Sequence, residues 1–388
     1  MTLLLATSVL AAAFAAALAL GLMQRNVQQW IVGHTRRACG LWLHGTRKTQ
    51  GPVHVMFLFT DHYEPLAGGA SDEVGHARVQ RWLDEYPKLA AKFRDADGCP
   101  PKHTFFYPEE EYRPALLDML GRLCRQGFGE VEVHLHHDHD TPQGLVEKLE
   151  RFKHQLHGTH GMLAALDGKP RFAFIHGNWA LDNSRADGRW CGVNNEIGLL
   201  ATAGCYADFT LPSAPNDTQT STVNSIYYAT GRQGRSKSHD RGVEASVGGS
   251  ASGDLMIFQG PLALNWRRRK LGIWPKIENA DIEPHDVPIA ERVALWVEQW
   301  VHVRGRPEWV FVKVHSHGAT ERNADWIFGG ECERLFEHLH KHYNDGRRFA
   351  LHYVTAREAY NIAKAAEAGK SGDPNQYRNH LLHAPAAA

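Results

Sequence analysis

Val53-His54-Val55-Met56-Phe57-Leu58-Phe59 is a near-continuous apolar run, followed at once by Thr60-Asp61-His62-Tyr63-Glu64-Pro65. A strand that is apolar at successive positions is buried on both faces, as the strands of a parallel sheet are. The run therefore sets the fold class, and the polar residues after it mark the end of a central strand.

Outward from this strand, helix-like and strand-like segments alternate. Trp82, Leu83, Tyr86, Leu89 and Phe93 fall at helical spacing, as do Leu116, Leu117, Leu120 and Leu123, stopped near Gly127. Strands are predicted at 103–107, 130–135, 171–175, 205–211, 255–259, 309–314 and 348–354. Thr141-Pro142 is an N-cap followed by a first-turn proline, opening a helix that carries Leu145, Leu149, Phe152 and Leu156. The stretches 291–303 and 331–343 have helical periodicity. Such alternation predicts an α/β fold with a parallel sheet or barrel. Residues 214–254, rich in Ser, Thr, Gly, Asn and Asp, interrupt it as an insertion reading as a substrate-covering segment or a surface loop.

Leu3 to Met23 carries no charge and is long enough, at 1.5 Å per residue, to cross a bilayer core of roughly 30 Å. No basic residue precedes it, so an uncleaved membrane anchor is expected rather than a signal peptide. Residues 25–50 then read as a juxtamembrane linker, 51–366 as the α/β barrel domain with the 214–254 insertion and 367–388 as a flexible tail. The arginines after the span favour a cytoplasmic domain; the side is left open.

Lys+Arg and Asp+Glu balance at 43 each, which gives no footprint for nucleic acid. The six cysteines show no metal-finger spacing and read as buried thiols. Histidine is the unusual component, with 25 copies. His62, His134 to His139, His176 and His315 to His317 fall at the ends of four separate predicted strands, where active sites of parallel sheets gather. Residues two apart in a strand share a face, so His134 with His136, and His315 with His317, can each point into one cavity. Imidazole beside carboxylate suits zinc first, with iron, manganese, nickel or cobalt as alternatives.

The order of these motifs resembles the polysaccharide deacetylase (NodB-like) superfamily. Phe57-Leu58-Phe59-Thr60-Asp61-His62 stands where that family has a strand ending in adjacent acidic residues. Thr104-Phe105-Phe106, Glu130-Val131-Glu132-Val133-His134, Val314-His315-Ser316-His317 and Leu351-His352-Tyr353 follow in the family's order. The resemblance implies a distorted (β/α)7-type barrel of the carbohydrate deacetylase kind, here preceded by one transmembrane helix through residues 3–23. It implies one divalent transition metal and the removal of N- or O-acetyl groups from a polysaccharide, an exopolysaccharide or cell-envelope glycan.

Carried over residue by residue, it makes Asp61 the general base. His62, His134 and one of Asp138 or His139 are the metal ligands, and His317, or failing it His315, is the general acid. His136, His176, Asn178 and Trp179 are then supporting or substrate contacts, and Lys237-Ser238-His239-Asp240 in the insertion could reach over the site. Two other classes fit the residues: a glycoside hydrolase using Asp61 and Glu64, or Glu109 to Glu111, as paired carboxylates, and a non-catalytic polysaccharide-binding protein.

Overall fold

The apolar run forms a ten-residue strand, Val53–His62, buried along nearly its whole length. The computed structural model describes residues 15–43, 51–284 and 290–386. In chain order its elements are α1 (Ile31–Leu43), β1 (Val53–His62), α2 (Asp72–Ala90), β2 (His103–Pro108), α3 (Pro114–Arg125), β3 (Gly129–Leu135), α4 (Pro142–His154), β4 (Phe172–His176), α5 (Glu196–Thr202) and β5 (Cys205–Asp208). Then come β6 (Ile226–Ala229), β7 (Val243–Glu244), β8 (Leu255–Phe258), β9 (Ala263–Lys270), β10 (Trp274–Glu278), α6 (Ala290–Glu298), β11 (Trp309–Ser316), α7 (Glu321–Trp326), α8 (Cys332–Tyr343), β12 (Phe349–Tyr353) and α9 (Ala356–Glu367).

The protein is mixed α/β, with a mostly parallel ten-stranded sheet in the order β11-β1-β2-β3-β4-β5-β8-β6-β7. β1 is flanked by β11 on one edge; its other edge is shared, β12 pairing residues 53–57 and β2 residues 59–62. The antiparallel pairings in this sheet are those of β8 with β6 and β6 with β7.

Strand alternation divides the side chains between two cores. Val55, Phe57 and Phe59 face outward with Val131, Val133, Leu135, Phe172 and Phe174, against the apolar faces of α2, α3 and α4. Met56, Leu58, Ile175, Phe258 and Phe311 face inward and are joined by the alanine-rich face of α9. The two sides of the sheet meet through this inner core. Phe258 packs edge-on to Phe311 at 5.1 Å between centroids, and Lys313 Nζ donates to the Phe209 carbonyl. The sheet thus curls into a barrel-like arrangement with a filled interior.

Local rules explain several boundaries. The Thr141 hydroxyl accepts the Gly144 N–H at 3.0 Å with Pro142 in the first turn. Thr355 and Glu358 form a reciprocal capping box at the start of α9. The helix expected over 291–303 stops at Glu298, where Trp300 takes a left-handed φ of 53° and Val301 O accepts from Phe311 N on β11.

Four sequence expectations are corrected. Among the described residues no helix is long and apolar enough to cross a membrane, which corrects the expectation of a single membrane-spanning anchor. Residues 3–14 lie outside the described residues. Residues 15–23 are helical and run against the β9–β10 hairpin, where a Cβ on Gly21 would come within 2.1 Å of Trp274 Nε1. The linker is docked as well, with Val27 and Trp30 buried against Val223, Leu262 and Ile277. The insertion supplies β6 and β7 and buries Gln219, Thr220 and His239. The tail is held by Arg378, which donates to Glu358 and Asp97, and by Leu382 in the inner core.

Candidate metal centre

The alternation that builds the two cores also sorts the strand-end residues. On β1, Thr60 and His62 continue the inward series of Met56 and Leu58, while Asp61 continues the outward series of Phe57 and Phe59. On β3, His134 and then His136 follow inward, and His137 outward.

The inward set converges. Glu64, from the turn after β1, places Oε1 3.1 Å from His134 Nε2 and 3.5 Å from His136 Nε2. His62 packs against His134 and His317, with ring centroids at 4.9 and 4.7 Å. Glu64, His134 and His136 form one group able to hold a metal ion, and His62, Glu64 and His317 another that shares Glu64.

The far nitrogens of the first group are also fixed. His134 Nδ1 lies 2.8 Å from the Ile175 carbonyl, and His136 Nδ1 lies 2.5 Å from Glu110 Oε1. A carbonyl or carboxylate at Nδ1 holds a proton there, so Nε2 is the nitrogen that each ring turns to the Glu64 side, donating to the carboxylate or, once deprotonated, free to ligate. Two imidazoles and one carboxylate so gathered could hold a metal ion once it displaces the Nε2 protons.

Electrostatics agree with this division. Burial acts to raise the Glu64 carboxyl, but the hydrogen bond and charge of His134, with those of His317 and His136, hold it below the ordinary value. Burial, reinforced by the neighbouring His317 and His134, pushes His62 well below the usual histidine range, so it is a neutral ring. His317 goes the other way. Burial disfavours its cation, but the bond to Glu283 and the charges of Glu64 and Asp61 prevail and push its pKa up to about 9. Its Nδ1 lies 3.3 Å from Glu283 Oε1.

Several predicted residues lie elsewhere. Asp61 is buried in the outer layer, where Oδ1 accepts the Gly318 N–H at 2.6 Å and Oδ2 lies 3.7 Å from His103 Nε2. Burial raises its pKa to about 7, but it does not face the imidazoles. Asp138 and His139 sit on an exposed turn, their side chains 38% and 83% accessible, and Asp138 accepts the Trp190 N–H. Neither joins the cluster; the carboxylate there is Glu64. His315 is buried below His62, with ring centroids 6.3 Å apart, and its Nε2 is 3.9 Å from Asp281 Oδ1.

Trp179 borders the cluster at 6.2 Å from His62 and 6.4 Å from His317, and its buried Nε1 has no hydrogen-bond partner. Asn178 and Trp179 both take positive φ, 55° and 56°. His176 turns to the outer face and meets His137, with Nε2 atoms 2.8 Å apart. His239 is buried under the insertion, which removes 237–240 as a group reaching over the cluster. A cavity of about 1120 Å³ lined by Val53, Trp300, Tyr343 and Phe349 opens at the opposite end of β1, away from this chemistry.

Sequence reasoning passed over Glu64 as a ligand and Glu110 and Glu283 as partners of the imidazoles. Glu64 was legible as an acidic residue two beyond His62 on the inward series; the other two come from distant loops. No protein-family model matches the sequence, and no curated protein matches it. Among solved structures, it is similar to a 4-alpha-glucanotransferase from Thermococcus litoralis at 12% identity and a TM-score of 0.39. That match covers 78% of this chain and 39% of the other, so the chain spans well under half the length of that enzyme.

Proposed function

We propose that the protein is a metal-dependent hydrolase that removes acetyl groups from a carbohydrate polymer, on a (β/α)7-type barrel of the deacetylase kind. The observation that carries the reading is Glu64 Oε1, flanked by the Nε2 atoms of His134 and His136. The acetylated substrate class comes from the order of sequence motifs, from Phe57–His62 through Val314–His317.

Glu64, His134 and His136 would hold the metal, which when bound supplies Lewis acidity toward a carbonyl oxygen. Ile175 O and Glu110 keep the two imidazoles in the ligating tautomer. His62, neutral and packed between His134 and His317, is the group placed to take a proton from attacking water. His317, held as a cation by Glu283, is placed to give a proton to the departing amine or alcohol. Trp179 closes one side of the cluster beside His62 and His317, an aromatic face on which a sugar ring could stack.

The test combines elemental analysis of the full chain with acetate release from acetylated oligosaccharides. His134→Ala is expected to lose one metal equivalent and the acetate release together. Metal content unchanged in His134→Ala would remove this centre. Cleavage of glycosidic bonds without acetate would move the reading to a glycoside hydrolase.

A further inference from the structure

On the outer face of the sheet, a second set of donors meets. His137 follows β3, His176 ends β4, Cys191 lies in the irregular segment 177–195, and Glu196 opens α5. All four are buried, and one ligand atom from each lies within 4.8 Å of the others. The two Nε2 atoms are 2.8 Å apart, Glu196 Oε1 is 3.2 and 3.6 Å from them, and Cys191 Sγ is 3.5 Å from Glu196 Oε2.

The orientation of the rings is the telling feature. His176 Nδ1 lies 2.5 Å from the Gly177 carbonyl, and His137 Nδ1 lies 3.1 Å from Asp140 Oδ2. The Gly177 carbonyl draws the His176 ring proton to Nδ1, so the His176 Nε2 lone pair faces His137 Nε2 across 2.8 Å, while the buried His137 Nδ1 makes no hydrogen bond and only an ion-pair contact with Asp140. A proton on His137 Nε2 joins the two rings in the empty site, and a metal cation taking that proton's place would be shared by both nitrogens. Glu196 adds a carboxylate and Cys191 a thiol that becomes thiolate on metal binding, its proton leaving to solvent. Two anionic and two neutral ligands cancel a divalent charge, as a site without water contact requires.

We propose that His137, His176, Cys191 and Glu196 bind a divalent zinc ion in a closed, four-ligand structural centre distinct from the Glu64–His134–His136 cluster. Tetrahedral zinc, with bonds of about 2.0–2.1 Å to nitrogen, needs the two Nε2 atoms about 3.3 Å apart, so the rings part by about half an ångström on binding. Its role is mechanical. Segment 177–195 contains six non-glycine residues at positive φ, namely Asn178, Trp179, Asp182, Asn183, Trp190 and Asn195, a conformation that needs external restraint. The zinc would pin the far end of this segment to β3 and β4, and the near end carries Trp179 beside His62.

Cobalt(II) separates the two centres, because only the outer one contains sulfur. The full chain is produced in zinc-depleted medium with cobalt(II), and its metal content and near-ultraviolet absorption are measured. The wild type should hold two equivalents and show thiolate-to-cobalt charge transfer. Cys191→Ser should lose that band and one equivalent; Glu64→Gln should keep the band, whatever becomes of hydrolysis. Cys191→His keeps a ligand while removing the sulfur. It should retain two equivalents without the band, which covers the case in which the serine variant does not fold. A wild type without the band, or a band that survives in Cys191→Ser, overturns the proposal.

Discussion

Asp61 and Gly318 are joined by a 2.6 Å hydrogen bond from the glycine N–H to the aspartate Oδ1. The bond crosses from the end of β1 to the turn after β11, and Trp82 Nε1 donates to the carbonyl of the same glycine at 3.0 Å. The space is closed, since a Cβ on Gly318 would lie 2.2 Å from Asp61 Oδ2 and 2.7 Å from the Trp82 ring. His317 immediately precedes this glycine, so the outward-facing aspartate fixes the place of an inward-facing imidazole.

Asp61 is therefore a positioning residue, and its substitutions should separate shape from charge. Asp61→Asn keeps an oxygen to accept the Gly318 N–H and should hold acetate release within about threefold of wild type. Asp61→Ala frees the turn, and a displaced His317 should lower kcat by about 10- to 100-fold while metal content stays unchanged. If Asp61→Asn were as inactive as Asp61→Ala, Asp61 would be acting by its charge.

Glu110 is expected to act on the metal through His136. Its Oε1 is 2.5 Å from His136 Nδ1, and such partners typically govern metal affinity by about 10- to 100-fold. Glu110→Gln should weaken metal binding by that factor in a chelator competition, whereas Asp138→Ala should leave it unchanged. A loss in Asp138→Ala and none in Glu110→Gln would restore the ligand assignment implied by the sequence motifs.

What the sequence reveals here follows from the reach of each signal. The apolar run at 53–59 and the Thr141-Pro142 start are local patterns, and both correspond to elements of the structure. The histidine-rich strand ends are legible because side chains at β1, β3 and β11 must meet at one end of a parallel sheet. Which face each residue takes is harder. Asp61 and His62 are adjacent, so only the inward or outward phase of β1 tells base from bystander, and that phase is set by the packing of Met56 and Leu58 against Phe311 and Phe258. Glu110, Glu283 and Cys191 arrive from loops whose paths no periodicity encodes. Residues 15–23 of the apolar N-terminal stretch form a helix beside Trp274, a contact that composition does not encode.

Arg357 joins the inner core to the chain's end, and its removal should be costly. Its guanidinium bonds Glu130 at 2.6 Å, and its remaining N–H groups reach the Leu382 carbonyl and Asn379. Arginine and glutamate here are 2% and 6% accessible. Breaking a buried pair from one side leaves an uncompensated charge, so Arg357→Met should lower unfolding free energy by about 3–5 kcal/mol. Adding Glu130→Gln should recover part of that loss. A double variant as unstable as the sum of the singles would show that the two residues contribute independently.

Glu358 should govern part of the acid sensitivity of the fold. Burial alone would raise its carboxyl, but Lys102, Arg378 and Arg357 dominate and hold it down at about 2, below its ordinary 4.5. Lys102 Nζ and Arg378 Nη1 sit 2.8 and 2.9 Å from its oxygens. With the folded value depressed, the unfolded chain takes up the proton first as acid is added. The stabilisation is complete above about pH 4.5 and disappears as pH falls toward 2. Glu358→Gln preserves a side-chain acceptor for the capping box while removing the charge. The stability gap between wild type and Glu358→Gln should therefore be on the order of 2–3 kcal/mol at neutral pH. It should shrink by more than half by about pH 3, as read from urea unfolding at a series of pH values. A gap that stayed constant over that range would mean that the carboxylate is not favoured by its cationic neighbours in the folded chain.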